Sequence, residues 1–380
     1  MRKILVIQTA SIGDVILATA LLEKLTQAFP EAQIDFLVKK GMEPLFEKHP
    51  FIHQLLVWDK SKKSSSFFRL LGTIRQSRYN LVINLQRFTL TGLLTAFSGG
   101  EVTIGFDKNP LSRFFSKRVP HEIGPGIHEI HRNQKLIEWL TDRIPAKPRL
   151  YAPQISDIGF WILKKENIQN LTSNIQYPIS NIYYTISPAS LWFTKQFPAD
   201  RWVELIREIP EEATVFLLGS KADHPLCEEI MSRGNEGRGT KDEGRRTMGE
   251  KREAKSEPER SGARRSEASQ KRKAKSEIVN LAGQLTLLES AALMRGARMN
   301  FTNDSAPMHL ASAVNAPVTA IYCSTTPAFG FGPLSDDSVV VEVTEPLSCR
   351  PCGLHGRNRC PEGHFNCAYQ IGMNLLTSRL

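Results

Sequence analysis

Apolar and polar positions along the chain fall into two rounds of one repeated pattern. "KILVIQ" is a short apolar run, and "DVILATALLEKLTQAF" after it places apolar residues at helical spacing. "AQIDFLVK" and "HQLLVWD" read as a second and third strand, the latter followed by a helix in "SSFFRLLGTIRQSR". "NLVINLQ" is a fourth strand, with a helix in "LTGLLTAFSG", and "EVTIGF" is a fifth. After a break around Pro145 to Pro153 and a polar stretch, the pattern resumes. Strands are predicted in "IYYTISP", "ATVFLLGS", "IVNLAG", "ARMNFTND" and "PVTAIYC", alternating with helices in "ADRWVELIREI", "HPLCEEIMS", "TLLESAALMRG" and "PMHLASAV".

Short β-rich runs separated by helices predict parallel sheets covered on both faces. Two consecutive Rossmann-like domains, an α/β architecture, imply a cleft between them. In open sheets of this kind ligands gather at the carboxyl ends of the strands. The expected boundaries are an N-terminal domain over 1–160, a linker over 161–181, a C-terminal domain over 182–348 and a cysteine-rich tail over 349–380. A length of 380 residues suits two domains.

Charge changes this picture at one place. Residues 233–277 hold 15 Lys/Arg and 9 Asp/Glu, so they supply most of the formal net charge of +10. The segment has almost no apolar residue beyond Ala and one Met, too little to offset the entropy of ordering it. It is expected to be a disordered insertion or loosely helical arm in a surface loop. No run of about 18 apolar residues occurs, so no transmembrane helix is predicted. The basic, apolar N-terminus reads as strand, loop and helix rather than a signal peptide, because Asp14 interrupts it. A cytoplasmic protein is expected.

Chemistry gathers at a few strand ends. In "FTNDSAPMHLASA", Asp304 or Ser305 can cap a helix that tolerates Pro307 in its first turn, and a helix start is also a site for an anion. Asp14 follows Gly13 where a helix begins, which suits a first-turn acid as well as a general base. Lys195 follows a strand and the small residues of "SPAS", which leave room for a ligand beside its ammonium. Cys349, Cys352, Cys360 and Cys367 have the spacing C-x2-C-x7-C-x6-C. They fit a structural zinc knuckle, with disulfides or reduced, packed thiols as the alternatives.

Four stretches, "SIGDVILATALLEKL", "SPASLWFTKQFPADRWVEL", "NLAGQLTLLESAALMRGA" and "TNDSAPMHLASA", together resemble the lipopolysaccharide heptosyltransferases of glycosyltransferase family 9. The tail "LSCRPCGLHGRNRCPEGHFNCA" looks most like the heptosyltransferase II branch. The resemblance implies a GT-B fold, with the acceptor mainly on the N-terminal domain and the nucleotide sugar on the C-terminal one. It implies an inverting transfer of heptose from ADP-heptose to the heptosyl-Kdo-lipid A core, at the inner leaflet of the inner membrane. Asp14 would be the base, with Gly13 beside the acceptor. Lys195 would contact the phosphates, with Ser190 and Thr194 adding hydrogen bonds. Asp304 would accept from sugar hydroxyls, Ser305 and Ala306 would meet the diphosphate, and His309 would point to the same site. Gly219, Asp223 and Gly283 would line the nucleotide pocket. Ala306 departs from the family's usual Gly, and its Cβ narrows the approach of phosphate to backbone. No metal-diphosphate motif stands out, so no cofactor is expected for catalysis and no nucleic acid as partner. The alternatives are another family 9 transferase (type I or III, or with a different sugar) and a non-catalytic nucleotide-sugar or nucleic-acid binding protein.

Overall fold

The structure, a computed structural model of the chain, describes residues 2–61, 63–124, 126–154, 182–238 and 277–380. The expected linker over 161–181 and the insertion's residues 239–276 lie outside them. The N-terminal half builds β1 (Lys3–Ile7), α1 (Ile12–Ala28), β2 (Gln33–Lys39), β3 (Gln54–Trp58), α2 (Lys63–Ser77), β4 (Leu81–Asn84), α3 (Thr89–Ala96), β5 (Val102–Phe106), β6 (Lys117–Val119) and α4 (Glu129–Lys135). The C-terminal half builds β7 (Tyr183–Ser187), α5 (Ala199–Glu208), β8 (Thr214–Leu217), α6 (His224–Arg238), β9 (Ile278–Asn280), α7 (Leu287–Gly296), β10 (Met299–Asn303), α8 (Ala306–Ala313), β11 (Val318–Tyr322) and β12 (Ser338–Glu342). Two short helices, α9 (Asn366–Tyr369) and α10 (Met373–Thr377), close the chain.

Each half holds one six-stranded sheet, ordered β3-β2-β1-β4-β5-β6 and β12-β11-β10-β7-β8-β9. Every pairing is parallel. In chain order within its half, the second sheet repeats the first. In each, the direction of strand addition reverses beside the first strand, at β1/β4 and at β7/β10. Those switch points open a crevice at the strands' carboxyl ends.

The central strands are buried along their length, as continuous apolar runs require when helices cover both faces. One apolar cluster crosses from half to half. It joins Leu21, Leu22 and Leu25 of α1 to Leu288 and Ala291 of α7 and to Leu310 and Ala313 of α8.

Helix α6 runs to Arg238, so the first residues of the expected insertion continue a helix instead of leaving the fold. The reason is local: Ile230 is buried, and a Cβ added at Gly234 would touch Ile278, so this turn packs on β9. Deleting 239–276 and closing the gap with a Gly-Ser linker is expected to leave the fold intact and the transfer that the resemblance implies unchanged in solution. Loss of transfer by a well-folded deletion would show that the segment acts in the reaction.

Candidate active site

The site begins at the turn after β1. Ser11 caps α1, and Asp14 is the third residue of that helix. Asp14 Oδ2 accepts from the Ser11 backbone N–H at 3.1 Å and from its hydroxyl at 2.6 Å. This is a capping box, so the helix-cap role of Asp14 is real. Among the described residues no hydrogen bond reaches Oδ1, which leaves one carboxylate oxygen for other work. Gly13 lies against the other half of the molecule, since a Cβ there would come 2.8 Å from His309 Cδ2. Only glycine permits that approach of α1 to α8.

Across the junction, Lys195 ends a 3₁₀ turn, Phe193–Lys195, and its ammonium lies 2.7 Å from Asp304 Oδ2. Thr325 donates its hydroxyl to the same oxygen at 2.6 Å. Asp304 therefore does not cap α8. The cap residue is Ser305, in extended conformation, and its hydroxyl turns back to the Asn303 carbonyl at 3.4 Å. No side chain caps the helix start, so its N–H groups are left for another acceptor. Ala306 and Pro307 occupy the first turn.

His309 is buried, and burial pushes its imidazole down to about 3, with the charges of His128 and Lys195 adding to the shift. It is neutral at any physiological pH, and its Nδ1 has no hydrogen-bond partner. Its ring packs on Gly13 instead of reaching out from the helix start. Gly13 lies against the His309 ring, and His309 stands one turn into the helix that Asp304 precedes, so the first turn of α1 adjoins the start of α8.

The remaining expected residues divide. Thr194 is buried with a committed hydroxyl, which accepts from the Arg357 N–H at 2.8 Å and from Ser324 Oγ at 2.9 Å. It ties the Lys195 turn to the C-terminal tail. Ser190 is half-buried, and its carbonyl holds Gln196 Nε2 at 2.6 Å. Asp223 repeats the Asp14 arrangement, taking the Ser220 N–H and hydroxyl at 2.7 Å each. Gly219 and Gly283 lie together, joined by a 2.9 Å hydrogen bond from the Gly283 N–H to the Gly219 carbonyl. Gly283 has φ +76°, and a Cβ there would strike Lys221 Cα, so these two strand-end loops close on each other through backbone.

The cysteine tail corrects an expectation. All four thiols are free, and with Glu362 and His364 they line a cavity of about 250 Å³. Among the described residues no three His, Cys, Asp or Glu side chains converge to hold a metal. Burial, then the neighbouring thiols, pushes Cys367 up to about 12 and raises Cys352 too. A zinc knuckle is not supported among the described residues, and the four thiols stand free around the cavity. The tail still meets the site: Gly356, at φ +78°, has room only for hydrogen against Lys195 Cγ.

Sequence reasoning passed over α4, which borders the Asp14 turn. Arg132 is 2% exposed, and it donates to Glu129 Oε2, to the Ile127 carbonyl and, across the junction, to the Phe329 carbonyl. The Glu129 N–H reaches the Gly330 carbonyl at 2.8 Å. Burial raises the Glu129 carboxyl, and the charge of Asp14 adds to that while Arg132 opposes it. The available signal was Glu129 and Arg132 at i, i+3 with His128 at the cap position, in an otherwise polar "HEIHRNQK".

Comparison with known proteins agrees with this geometry. The family model for glycosyltransferase family 9 (heptosyltransferase) matches residues 67–242 and 253–357. Lipopolysaccharide heptosyltransferase 3 of Escherichia coli (strain K12) is 24% identical over 331 residues, 83% of this chain and 81% of that protein. Lipopolysaccharide heptosyltransferase 1 of Pseudomonas aeruginosa is 23% identical over 368 residues, 92% of this chain and 86% of that protein. The solved structure of E. coli ADP-heptose lps heptosyltransferase II superposes with a TM-score of 0.70 at 18% identity, covering 99% of this chain and 97% of that one. Types 1, 2 and 3 all match at similar distance, so similarity does not single out a branch. Two Rossmann-type sheets meeting at their switch points form the GT-B arrangement, and the chain belongs to glycosyltransferase family 9, the heptosyltransferases.

Proposed function

We propose that the chain transfers heptose from ADP-heptose to the heptosyl-Kdo-lipid A inner core, with inversion at the anomeric carbon. The observation that carries this reading is the Lys195–Asp304 pair at the uncapped start of α8, beside the Asp14 turn. An inverting transfer needs a base in line with the attacking hydroxyl and positive charge at the departing phosphate. Asp14 supplies the base through its unengaged Oδ1. It takes the acceptor's proton as the hydroxyl oxygen bonds to the anomeric carbon and the bond to the diphosphate breaks. Lys195 and the α8 N–H groups receive the charge that develops on the diphosphate. Asp304 positions the sugar by accepting from its hydroxyls, and the loops at Gly219, Asp223 and Gly283 line the nucleotide pocket. In the free enzyme Asp304 holds Lys195 in place, so the ammonium need not be ordered when donor arrives.

Lys195→Ala and Asp304→Ala are each expected to weaken ADP-heptose binding or slow transfer by tenfold or more. Calorimetry and initial rates check this, and two variants unchanged in both would sink the assignment. Because Lys195→Ala leaves Asp304 without its cation, its melting temperature should be compared as well. The acceptor is read by assaying Kdo-lipid A with and without its first heptose. Transfer only to the heptose-bearing form is expected, and transfer only to the heptose-free form would assign a type I enzyme.

A further inference from the structure

We propose that the edge of the N-terminal domain beside the cleft is a docking surface for an anionic lipid bilayer. Helices α2 and α3 lie on the same face of the first sheet, where Phe67, Leu70, Leu71 and Ile74 of α2 share a core with Leu94 of α3. Arg75 of α2 also donates to the Phe97 carbonyl at the end of α3, at 3.0 Å. One helix follows β3 and the other β4, so both begin at the sheet's carboxyl edge, the edge that carries the Asp14 turn.

At that edge the early turns of the two helices turn apolar side chains to solvent. Phe68 is 68% exposed, Phe88 62% and Leu90 52%. The 3₁₀ turn Ser112–Phe114 packs against α3 and adds Phe114, 55% exposed, with the Arg113 guanidinium 4.8 Å from its ring. Single exposed hydrophobes are ordinary, but several on neighbouring elements mark an interaction surface. Lys60 binds the edge to the site itself, donating to the Thr9 carbonyl at 2.9 Å in the turn before α1.

Charge identifies the partner. Residues 60–118 hold eleven Lys/Arg and two Asp/Glu, a local +9 against +10 for the whole chain. With +6 in residues 233–277, everything else sums to net negative, so the positive field of the folded domains is concentrated here. Arg69, Arg87 and Arg113 are exposed and adjoin Phe68, Phe88 and Phe114 in sequence, and Lys108 is exposed in the loop after β5. A second copy of this surface would be repelled by its own charge. Apolar side chains that enter the headgroup boundary, ringed by cations, fit an anionic leaflet, where each basic residue near the surface contributes about 1 kcal/mol. The place is suited to a lipid-linked acceptor: the cleft mouth meets the leaflet, and a core sugar can reach Asp14 while its acyl chains stay in the membrane. For that purpose the inference rests on the acceptor proposed above, but the surface itself is testable without acceptor.

The test is flotation of the full chain with acceptor-free vesicles of phosphatidylglycerol and phosphatidylethanolamine, or of phosphatidylcholine alone, at physiological salt. The anionic vesicles are expected to bind at least tenfold more tightly. Phe68→Ser/Phe88→Ser/Leu90→Ser, at unchanged melting temperature, is expected to lose that tenfold. Arg69→Glu/Arg113→Glu is expected to weaken binding and flatten its salt dependence. The triple variant should transfer to a deacylated, water-soluble acceptor at wild-type rate and transfer more slowly to the same acceptor in vesicles. Three results overturn the proposal: no preference of the wild type for anionic vesicles; wild-type vesicle binding by both variants, which would give the membrane to residues 239–276; or loss of an oligonucleotide's binding in the variants with vesicle binding intact. An equal loss of rate on the deacylated acceptor overturns it too, by making the patch part of the acceptor site.

Discussion

Replacing Asp14 with Asn is expected to lower heptosyl transfer by about a hundredfold or more while ADP-heptose binds as before. The structure makes Asn the informative substitution. Asp14 also closes the capping box of α1, where its Oδ2 takes two bonds from Ser11. An Asn carbonyl can still accept from Ser11, so the helix start survives and only the proton acceptor is lost. Asp14→Ala removes both roles and should add about 1 kcal/mol of helix destabilisation. Initial rates with labelled donor and calorimetry with ADP-heptose separate the effects. Near-normal turnover of the Asn variant would leave Asp14 as a capping residue and nothing more.

Arg132→Met is expected to destabilise the protein by about 3–5 kcal/mol, the cost of leaving a buried carboxylate without its cation. Glu129 is buried and loses the partner that holds its charge, while the Ile127 and Phe329 carbonyls lose donors. Denaturant unfolding of the single variant and of Arg132→Met/Glu129→Gln measures this. The double variant should recover part of the loss, because neutral Gln is cheaper to bury than an unpaired carboxylate. A single variant within 1 kcal/mol of wild type would mean that water already reaches this pair. Since Arg132 also holds the Phe329 carbonyl of the other half, slower transfer at constant donor affinity is expected where the single variant remains folded.

The two sheets were legible because strands buried on both faces read as unbroken apolar runs. β1, β2, β4 and β11 announce themselves that way, whereas β3 is half exposed and β10, "MNFTN", is buried throughout though half polar. β6 is "KRV", an edge strand with almost no apolar signal, and β12 follows a loop whose composition predicts nothing. α4 was missed because all its buried residues but Ile130 are polar, Glu129, Arg132, Asn133 and Gln134, and their burial comes from packing that no local periodicity records. The strand-end residues were visible as types, but their partners were not. Asp304 sits in a good capping sequence, yet Lys195, 109 positions earlier, holds its carboxylate and leaves the helix uncapped. His309 looked like a ligand one turn into a helix, and its role in the fold depends on Gly13, in the opposite half of the chain. In the tail, spacing places four thiols around one cavity, but it does not record the ligand geometry a metal requires.

The apolar cluster that runs from α1 into α7 and α8 also limits how this cleft can move. An enzyme whose halves met only through polar contacts could swing them about a linker and leave both cores intact. Here the leucines of α1 belong to one core with Leu288 and Leu310, and the His309 ring fills the space that Gly13 leaves open. Pulling the halves apart would expose that shared face to water. The movement such a joint permits is shear, in which packed helices slide by small steps over one another while the contact is kept. Closing on a donor is then a matter of regripping along α1, and neither half should be expected to stand as an independent domain.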